Sequence, residues 1–212
     1  MALSKETQAL KSYEILNGIS PKQISFLSAT DPFKLLISVI LSAQTTDLQV
    51  ERVIGTLFEQ YPTSKELSDA DVETVKEIIK STGFYSVKAK NIIATSKILV
   101  ESFNGKVPLT MEDLTSLPGV GRKSASVIIG QIGNKPAIIV DTHFSRVVRR
   151  IGLTDTTDPV KIEREVAKLL PPKFHYRYSM LINYHGRTVC FARKPNCFEC
   201  SISSYCDSFP IT

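Results

Sequence analysis

The sequence predicts an all-α fold. Three observations carry this. Apolar residues recur at helical spacing along most of the chain, residues that start and stop helices bracket those stripes, and only residues 138–140 have the composition of a strand. A lone strand has no partner to pair with, so Ile138, Ile139 and Val140 are expected to form an extended connector.

Each element has its own signal. Asp31 and Pro32 make an N-cap followed by proline in the first turn, opening a helix that runs to Leu41. Its apolar residues lie nearly all round, which places it at the centre of its lobe. Asp47 opens a second helix with Val50, Val53, Ile54, Leu57 and Phe58 on one face, and Pro62 marks its end. Val72, Val75, Ile78 and Ile79 form a third stripe, stopped at Gly83. A fourth covers about 86–103 and ends at Asn104 and Gly105. A short helix over 112–117 leads to another over 122–132, stopped at Gly133. Asp141 caps a helix that turns Phe144, Val147, Val148 and Ile151 inward, and two more follow over 159–170 and 174–185. There is no internal repeat, low-complexity tract or flexible linker, so any division into lobes rests on tightly packed helices.

The totals bound the class. The chain has 212 residues, 42% hydrophobic and 22% charged, enough to bury a core and unlike a disordered polyelectrolyte. Its net charge of +5 leans towards a polyanionic partner such as nucleic acid. The N-terminus MALSKETQALKSYEIL lacks the apolar core of a signal peptide, and the most apolar segment, PFKLLISVILSA, is too short to span a bilayer and contains Lys34. A soluble intracellular protein with no membrane association is expected, its cysteines reduced.

Three motifs carry chemistry. The first is LPGVGRKSA, residues 117–125. A helix, a Pro-Gly-x-Gly turn and a second helix make a helix-hairpin-helix. Gly119 and Gly121 permit positive φ and close backbone approach, and the N–H groups opening the next helix favour a phosphate. Arg122 and Lys123 follow at once. The second is VDTHFSRVVRRIG, where Asp141 sits as an N-cap worth roughly 1 kcal/mol and His143 reads as structural. In that helix Arg146, Arg149 and Arg150 read equally well as a solvated face. The third is the pattern C-x6-C-x2-C-x5-C formed by Cys190, Cys197, Cys200 and Cys206, the only cysteines in the chain. Four thiols so close together mean a four-thiolate metal centre. Tetrahedral zinc and an iron–sulfur cubane both suit such ligands, and the chemistry alone leans to zinc, the commoner structural metal.

Taken in order, the hairpin with its lysine, the VDTH aspartate and the four-cysteine loop resemble the endonuclease III family of DNA glycosylases, within the helix-hairpin-helix superfamily. The segments LLISVILSAQTTD (residues 35–47), LPGVGRKSA, VDTH and HGRTVC through Cys206 are similar to family motifs, so the resemblance covers nearly the whole chain. It implies a two-lobed all-α fold: a six-helix lobe over about 25–137, and a second lobe from 1–24 and 138–212 holding a [4Fe–4S] cluster on the cysteines. It implies a monomeric repair enzyme that removes oxidised pyrimidines such as thymine glycol from double-stranded DNA and cleaves the strand at the abasic site. Lys123 would attack C1′ as the free amine, and Asp141 would stabilise positive charge on the sugar. Lysine at 123 also separates this chain from relatives that only excise adenine.

The same resemblance assigns DNA contacts. The target base must leave the stack, and Gln44 matches the family's gap-filling position. Phe84 lies where relatives insert a leucine or similar wedge, a role a phenyl ring can take, with a core anchor as the other reading. Thr82 departs from the aliphatic residue of some relatives, and Thr115 from a glutamate. Asp47 lines the pocket mouth or only caps the next helix. Gly119, Gly121 and Arg122 would hold phosphates at the hairpin, and Arg193 and Lys194 would do so from the cysteine loop.

Overall fold

The computed structural model describes residues 3–22, 24 and 31–211. In chain order its helices are α1 (Lys5–Ile19), α2 (Pro32–Leu41), α3 (Asp47–Gln60), α4 (Ser64–Ser68), α5 (Val72–Ile79), α6 (Tyr85–Phe103), α7 (Met111–Ser116), α8 (Arg122–Gln131), α9 (Thr142–Ile151), α10 (Pro159–Leu169) and α11 (His175–Thr188). No strand occurs among the described residues. The segment 138–140 is an unpaired connector, and the Ile139 N–H donates to Ser179 Oγ (2.9 Å) where a strand would use a ladder. None of the described helices is long and apolar enough to cross a membrane.

The chain divides into two compact units, Phe26–Gly133 and Met1–Ser25 with Asn134–Thr212. In the first, α2 is buried on every side, with Leu35, Leu36, Ile37 and Leu41 fully shielded. It packs against α3, α6 and α8. Its start follows the sequence signal: Asp31 accepts from the Lys34 N–H (2.9 Å), with Pro32 in the first turn. Asp158 and Pro159 repeat the device at α10. At α3 the helix begins at Asp47, but the cap is Thr46, whose Oγ1 accepts from the Gln49 N–H (3.3 Å). The capping reading of Asp47 is thereby corrected, while its side chain, and with it the pocket-mouth reading, lies outside the described residues.

Two helices lack a readable stripe. Helix α4 is five residues long and is announced only by its capping box, in which Thr63 and Glu66 bond each other's backbone and side chain. Helix α1 buries Gln8, Ala9, Ser12 and Leu16, half of them polar. Polar residues can face inward there because each has a partner. Gln8 Nε2 donates to the Ile151 carbonyl (2.9 Å), the Tyr205 carbonyl (3.3 Å) and Asp207 Oδ1 (2.6 Å). Ser12 Oγ bonds the Tyr178 hydroxyl (2.9 Å). The core of this unit gathers Leu16, Phe144, Val148, Ile162, Tyr178 and Leu181, with Cys190 and Cys200 packed against its edge.

Gln8 therefore fastens α1 to the chain beyond Cys200. Replacing it by leucine removes the donor to all three acceptors; the Ile151 carbonyl keeps the Asp207 N–H (3.1 Å) and Asp207 is exposed, so the loss is about that of one buried hydrogen bond left unmade, on the order of 1–3 kcal/mol. Gln8→Leu is expected to lower the unfolding free energy by about 2 kcal/mol in urea titration; an unchanged midpoint would remove the anchoring role.

Candidate functional site

The hairpin turn is built by burial on one side and openness on the other. Leu117 and Val120 are buried, while Gly119, Gly121, Arg122 and Lys123 are exposed. The Val120 N–H donates to the Leu117 carbonyl (3.1 Å), and the Pro118 carbonyl accepts from Thr95 Oγ1 (2.9 Å). Only Gly119 adopts positive φ, at 82°. Gly121 sits at φ −90°, a conformation open to any residue. A Cβ on Gly119 would lie 2.9 Å from Asn91 Nδ2 and 3.0 Å from Ile40 Cγ2, so the turn rests directly on α6 and α2. A Cβ on Gly121 would meet nothing within 4 Å. Gly121 caps α8 with no side-chain hydrogen bond, leaving that helix start suited to an anion. Lys123 stands in its first turn. The other face of α8 buries Ala125, Ile128 and Ile129.

Gln44 and Phe84 are far apart in sequence but line one pocket, together with Lys88, Asn91 and Gly119. Both have left-handed backbones, φ 54° and 48°. For residues with a Cβ this costs of order 1–3 kcal/mol each and persists only where the surroundings enforce it. Gln44 is exposed in the turn after α2. Phe84 is 68% exposed and opens α6 without a side-chain cap, which excludes the core-anchor reading. Thr82 is buried, its hydroxyl donating to the Ile79 carbonyl (2.8 Å). Thr115 is exposed and spends its hydroxyl on the Met111 carbonyl (2.8 Å). Lys88, which no sequence motif singles out, is only 5% exposed, and burial lowers its amine below the ordinary lysine range.

In the other unit the extended connector delivers Asp141 to the start of α9. Its Oδ1 accepts from the Phe144 N–H (2.7 Å), and Oδ2 accepts from the Asn183 amide. Asn183 is buried on α11 and carries no signal in the sequence pattern. Gly186, also on α11, lets the helix close on α9: a Cβ there would lie 3.0 Å from His143 Cβ and 3.1 Å from Val147 Cγ2. His143 Nδ1 bonds the Arg146 guanidinium (3.2 Å), a structural role.

The four cysteines are half-buried and free of disulfides. They line one pocket with about 380 Å³ of empty space, part of it open to solvent, walled by Val147, Ile151, Val189 and Ile202. Burial first, and then the charge of neighbouring cysteines, Cys190 and Cys197 in both cases, pushes the thiols of Cys200 and Cys206 above the usual range. His185 beside Cys200 (3.5 Å) is drawn down to about 4 by burial and is neutral at pH 7. Among the described residues no three His, Cys, Asp or Glu side chains gather into a site for a single metal ion. Two of the helical arginines are not a solvated face. Arg146 donates to the Cys190 carbonyl (3.0 Å) and the Gly186 carbonyl (2.7 Å). Arg150 donates to Cys190 Sγ (3.3 Å), the Phe191 carbonyl (2.7 Å) and the Ala192 carbonyl (3.1 Å). Only Arg149 is exposed. Arg193 and Lys194 are exposed between the first two cysteines, Lys194 with φ 50°.

Residues 37–172 match the HhH-GPD superfamily of base excision DNA repair proteins. An endonuclease III of Synechocystis sp. is 43% identical over 97% of this chain and 94% of its own length. Two solved structures superpose with a TM-score of 0.90 at 34% identity. One is a non-covalent endonuclease III–DNA complex, covering 97% of this chain and 96% of that one. The other is a trapped covalent endonuclease III–DNA intermediate, covering 97% of both.

The two glycines of the turn should respond differently to alanine. Gly119→Ala meets both positive φ and two close neighbours, and is expected to cost about 1–3 kcal/mol and to weaken duplex DNA binding. Gly121→Ala meets open space and is expected to cost about 1 kcal/mol or less. Thermal unfolding and fluorescence anisotropy on the same samples check this; equal losses would contradict the packing described.

Proposed function

The chain belongs to the HhH-GPD superfamily of base excision DNA repair proteins, and from that membership we propose that it is a bifunctional DNA glycosylase and abasic-site lyase acting on oxidised pyrimidines such as thymine glycol. The observation that carries this reading is Lys123, exposed in the first turn of α8 directly after the uncapped glycine turn. A phosphate held at that helix start would bring the adjoining sugar within reach of the lysine amine. The trapped covalent complex of the related endonuclease III supports a covalent route.

In this mechanism the lone pair of Lys123 Nζ attacks C1′ of the damaged nucleotide. The N-glycosidic bond breaks, its electrons leave with the base, and the base takes a proton. Loss of the amine proton and opening of the sugar ring give a Schiff base. Removal of a C2′ proton then breaks the C3′–O bond, releases the 3′ phosphate, and water hydrolyses the imine to free the lysine. Asp141, fixed through both oxygens, supplies a stationary negative charge while positive charge develops on the sugar. Gln44 and Phe84 fill the space left by the displaced base. Gly119, Gly121 and Arg122 hold phosphates on the hairpin side, and Arg193 and Lys194 on the cysteine side.

The cysteine pocket fits a [4Fe–4S] cluster better than zinc. A single zinc ion needs its thiolates about 2.3 Å from one centre, and the described side chains form no such group. Four sulfurs around one pocket, with a neutral histidine and an arginine at its wall, suit a larger four-thiolate centre. Cys190, Cys197, Cys200 and Cys206 would hold it. When bound it would make the loop carrying Arg193 and Lys194 rigid.

Borohydride trapping on a thymine glycol duplex and on an abasic duplex tests the chemistry. Wild type should be trapped on and nick both. Lys123→Ala should be trapped on neither, and Asp141→Asn should excise at least about a hundredfold more slowly. Trapping of Lys123→Ala would overturn the assignment of the nucleophile. The metal is tested on protein purified without oxygen, which should be yellow-brown with broad absorbance near ~400 nm. Cys197→Ser should lose that colour and melt earlier; colourless, folded, zinc-loaded wild type would overturn the cluster.

A further inference from the structure

We propose that Lys88 is a positioning residue: it fixes the spacing of Gln44 and Phe84 by tying together the two turns that carry them. The inference rests on the proposed gap-filling role of those two side chains, and it adds a residue to which neither the motifs nor the mechanism assigns a function.

Lys88 reaches from the first turn of α6 into the protein and is only 5% exposed. Its Nζ donates to Thr45 Oγ1 (2.7 Å) and to the Thr82 carbonyl (2.7 Å). The Thr45 hydroxyl in turn donates to the same Thr82 carbonyl, closing a three-membered knot. Thr45 directly follows Gln44, and Thr82 lies two residues before Phe84. One ammonium thus grips both turns at their bases while the two tips, each in a left-handed backbone, line the same pocket. Among the described residues no carboxylate pairs with Lys88. Burying a cation is unfavourable, and an apolar side chain would pack there at lower cost. What the ammonium adds is direction: two short charge-assisted bonds to acceptors on different loops. An apolar residue would leave the two turns joined only by the Thr45 hydroxyl on the Thr82 carbonyl, with both bonds from the ammonium lost.

The test separates opening of the DNA stack from the covalent chemistry. Lys88→Met keeps the stem and removes the donors, and Lys88→Arg restores donors and charge. Each variant is assayed for single-turnover excision on a thymine glycol duplex. 2-Aminopurine placed opposite the lesion reports unstacking by fluorescence. Borohydride trapping on a single-stranded abasic oligonucleotide, where no stack has to open, reports the covalent step. Lys88→Met is expected to slow duplex excision by about tenfold or more and to lose the fluorescence rise, with single-strand trapping within about twofold of wild type. Lys88→Arg should recover most of the loss. If Lys88→Met does not fold, Thr45→Val, which removes the hydroxyl from the knot, carries the same expectation. Equal losses on both substrates, or none on the duplex, would overturn the inference. Gln44→Ala and Phe84→Ala serve as reference: if neither separates the two substrates, the gap-filling reading itself fails, whereas if they do and Lys88→Met does not, only the role of Lys88 falls.

Discussion

Every α-helix starts with four N–H groups that have no partner inside it, and the way this chain meets that constraint organises the molecule. Among the described residues eight helix starts are closed by a side chain: Ser4, Asp31, Thr46, Thr63, Asp71, Thr110, Asp141 and Asp158 each accept from a first-turn N–H. Helix α11 instead continues from the 3-10 turn Pro172–Phe174. That leaves α6 and α8, which begin at Phe84 and Gly121 with no side-chain cap. Phe84 and Gly119, the latter in the turn that leads to Gly121, line a single pocket. A capped start has spent part of its N–H potential on its own chain. An uncapped one keeps it for an outside anion, with the helix dipole adding to it. A basic chain that leaves two helix starts without a side-chain cap suits a polyanionic partner.

In the other unit helix α9 plays the corresponding part, fastened at both ends. Its first turn is locked by Asp141, and its later turns hold the cysteine loop through Arg146 and Arg150. The contact is reciprocal, since Cys206 Sγ donates to the Arg150 carbonyl (3.2 Å). The helix therefore joins the carboxylate and the thiol pocket as one rigid piece. Close packing at Gly186 and the buried core on its inner face leave it little room to turn. A metal centre on the four thiols would act on DNA contacts through this helix and the loop it grips, with no electron transfer required.

Much of this was legible in the sequence because strong local signals agreed with the fold. Asp-Pro starts, glycine stops and apolar stripes mark α2, α5, α9 and α10 within a few residues. What escaped is what depends on partners distant in sequence. Helix α1 turns Gln8 and Ser12 inward because acceptors near residues 151, 178 and 207 await them, and no periodicity records that. Lys88 and Asn183 escaped for the same reason: each is a polar residue whose burial is justified only across a tertiary contact. Arginines 146 and 150 read as a wet face until the cysteine loop folds over them. The turn glycines show the opposite limit, for the motif is plain but only packing against Asn91 and Ile40 reveals which of them needs to be glycine.

The environment of Asp141 narrows what that carboxylate can do. One oxygen completes the cap of α9 and the other takes the Asn183 amide. A carboxylate that swings to collect a proton must give up at least one of these bonds, and either loss exposes a polar group: a helix N–H in one case, a buried amide in the other. A carboxylate that stays in place loses nothing and presents a fixed negative charge, the condition under which electrostatic stabilisation is strongest because no reorganisation accompanies the reaction. The same anchoring that makes Asp141 an ordinary helix cap thus suits it to face a developing cation and makes it a poor shuttle. In the proposed reaction, proton transfer would then fall to groups other than Asp141.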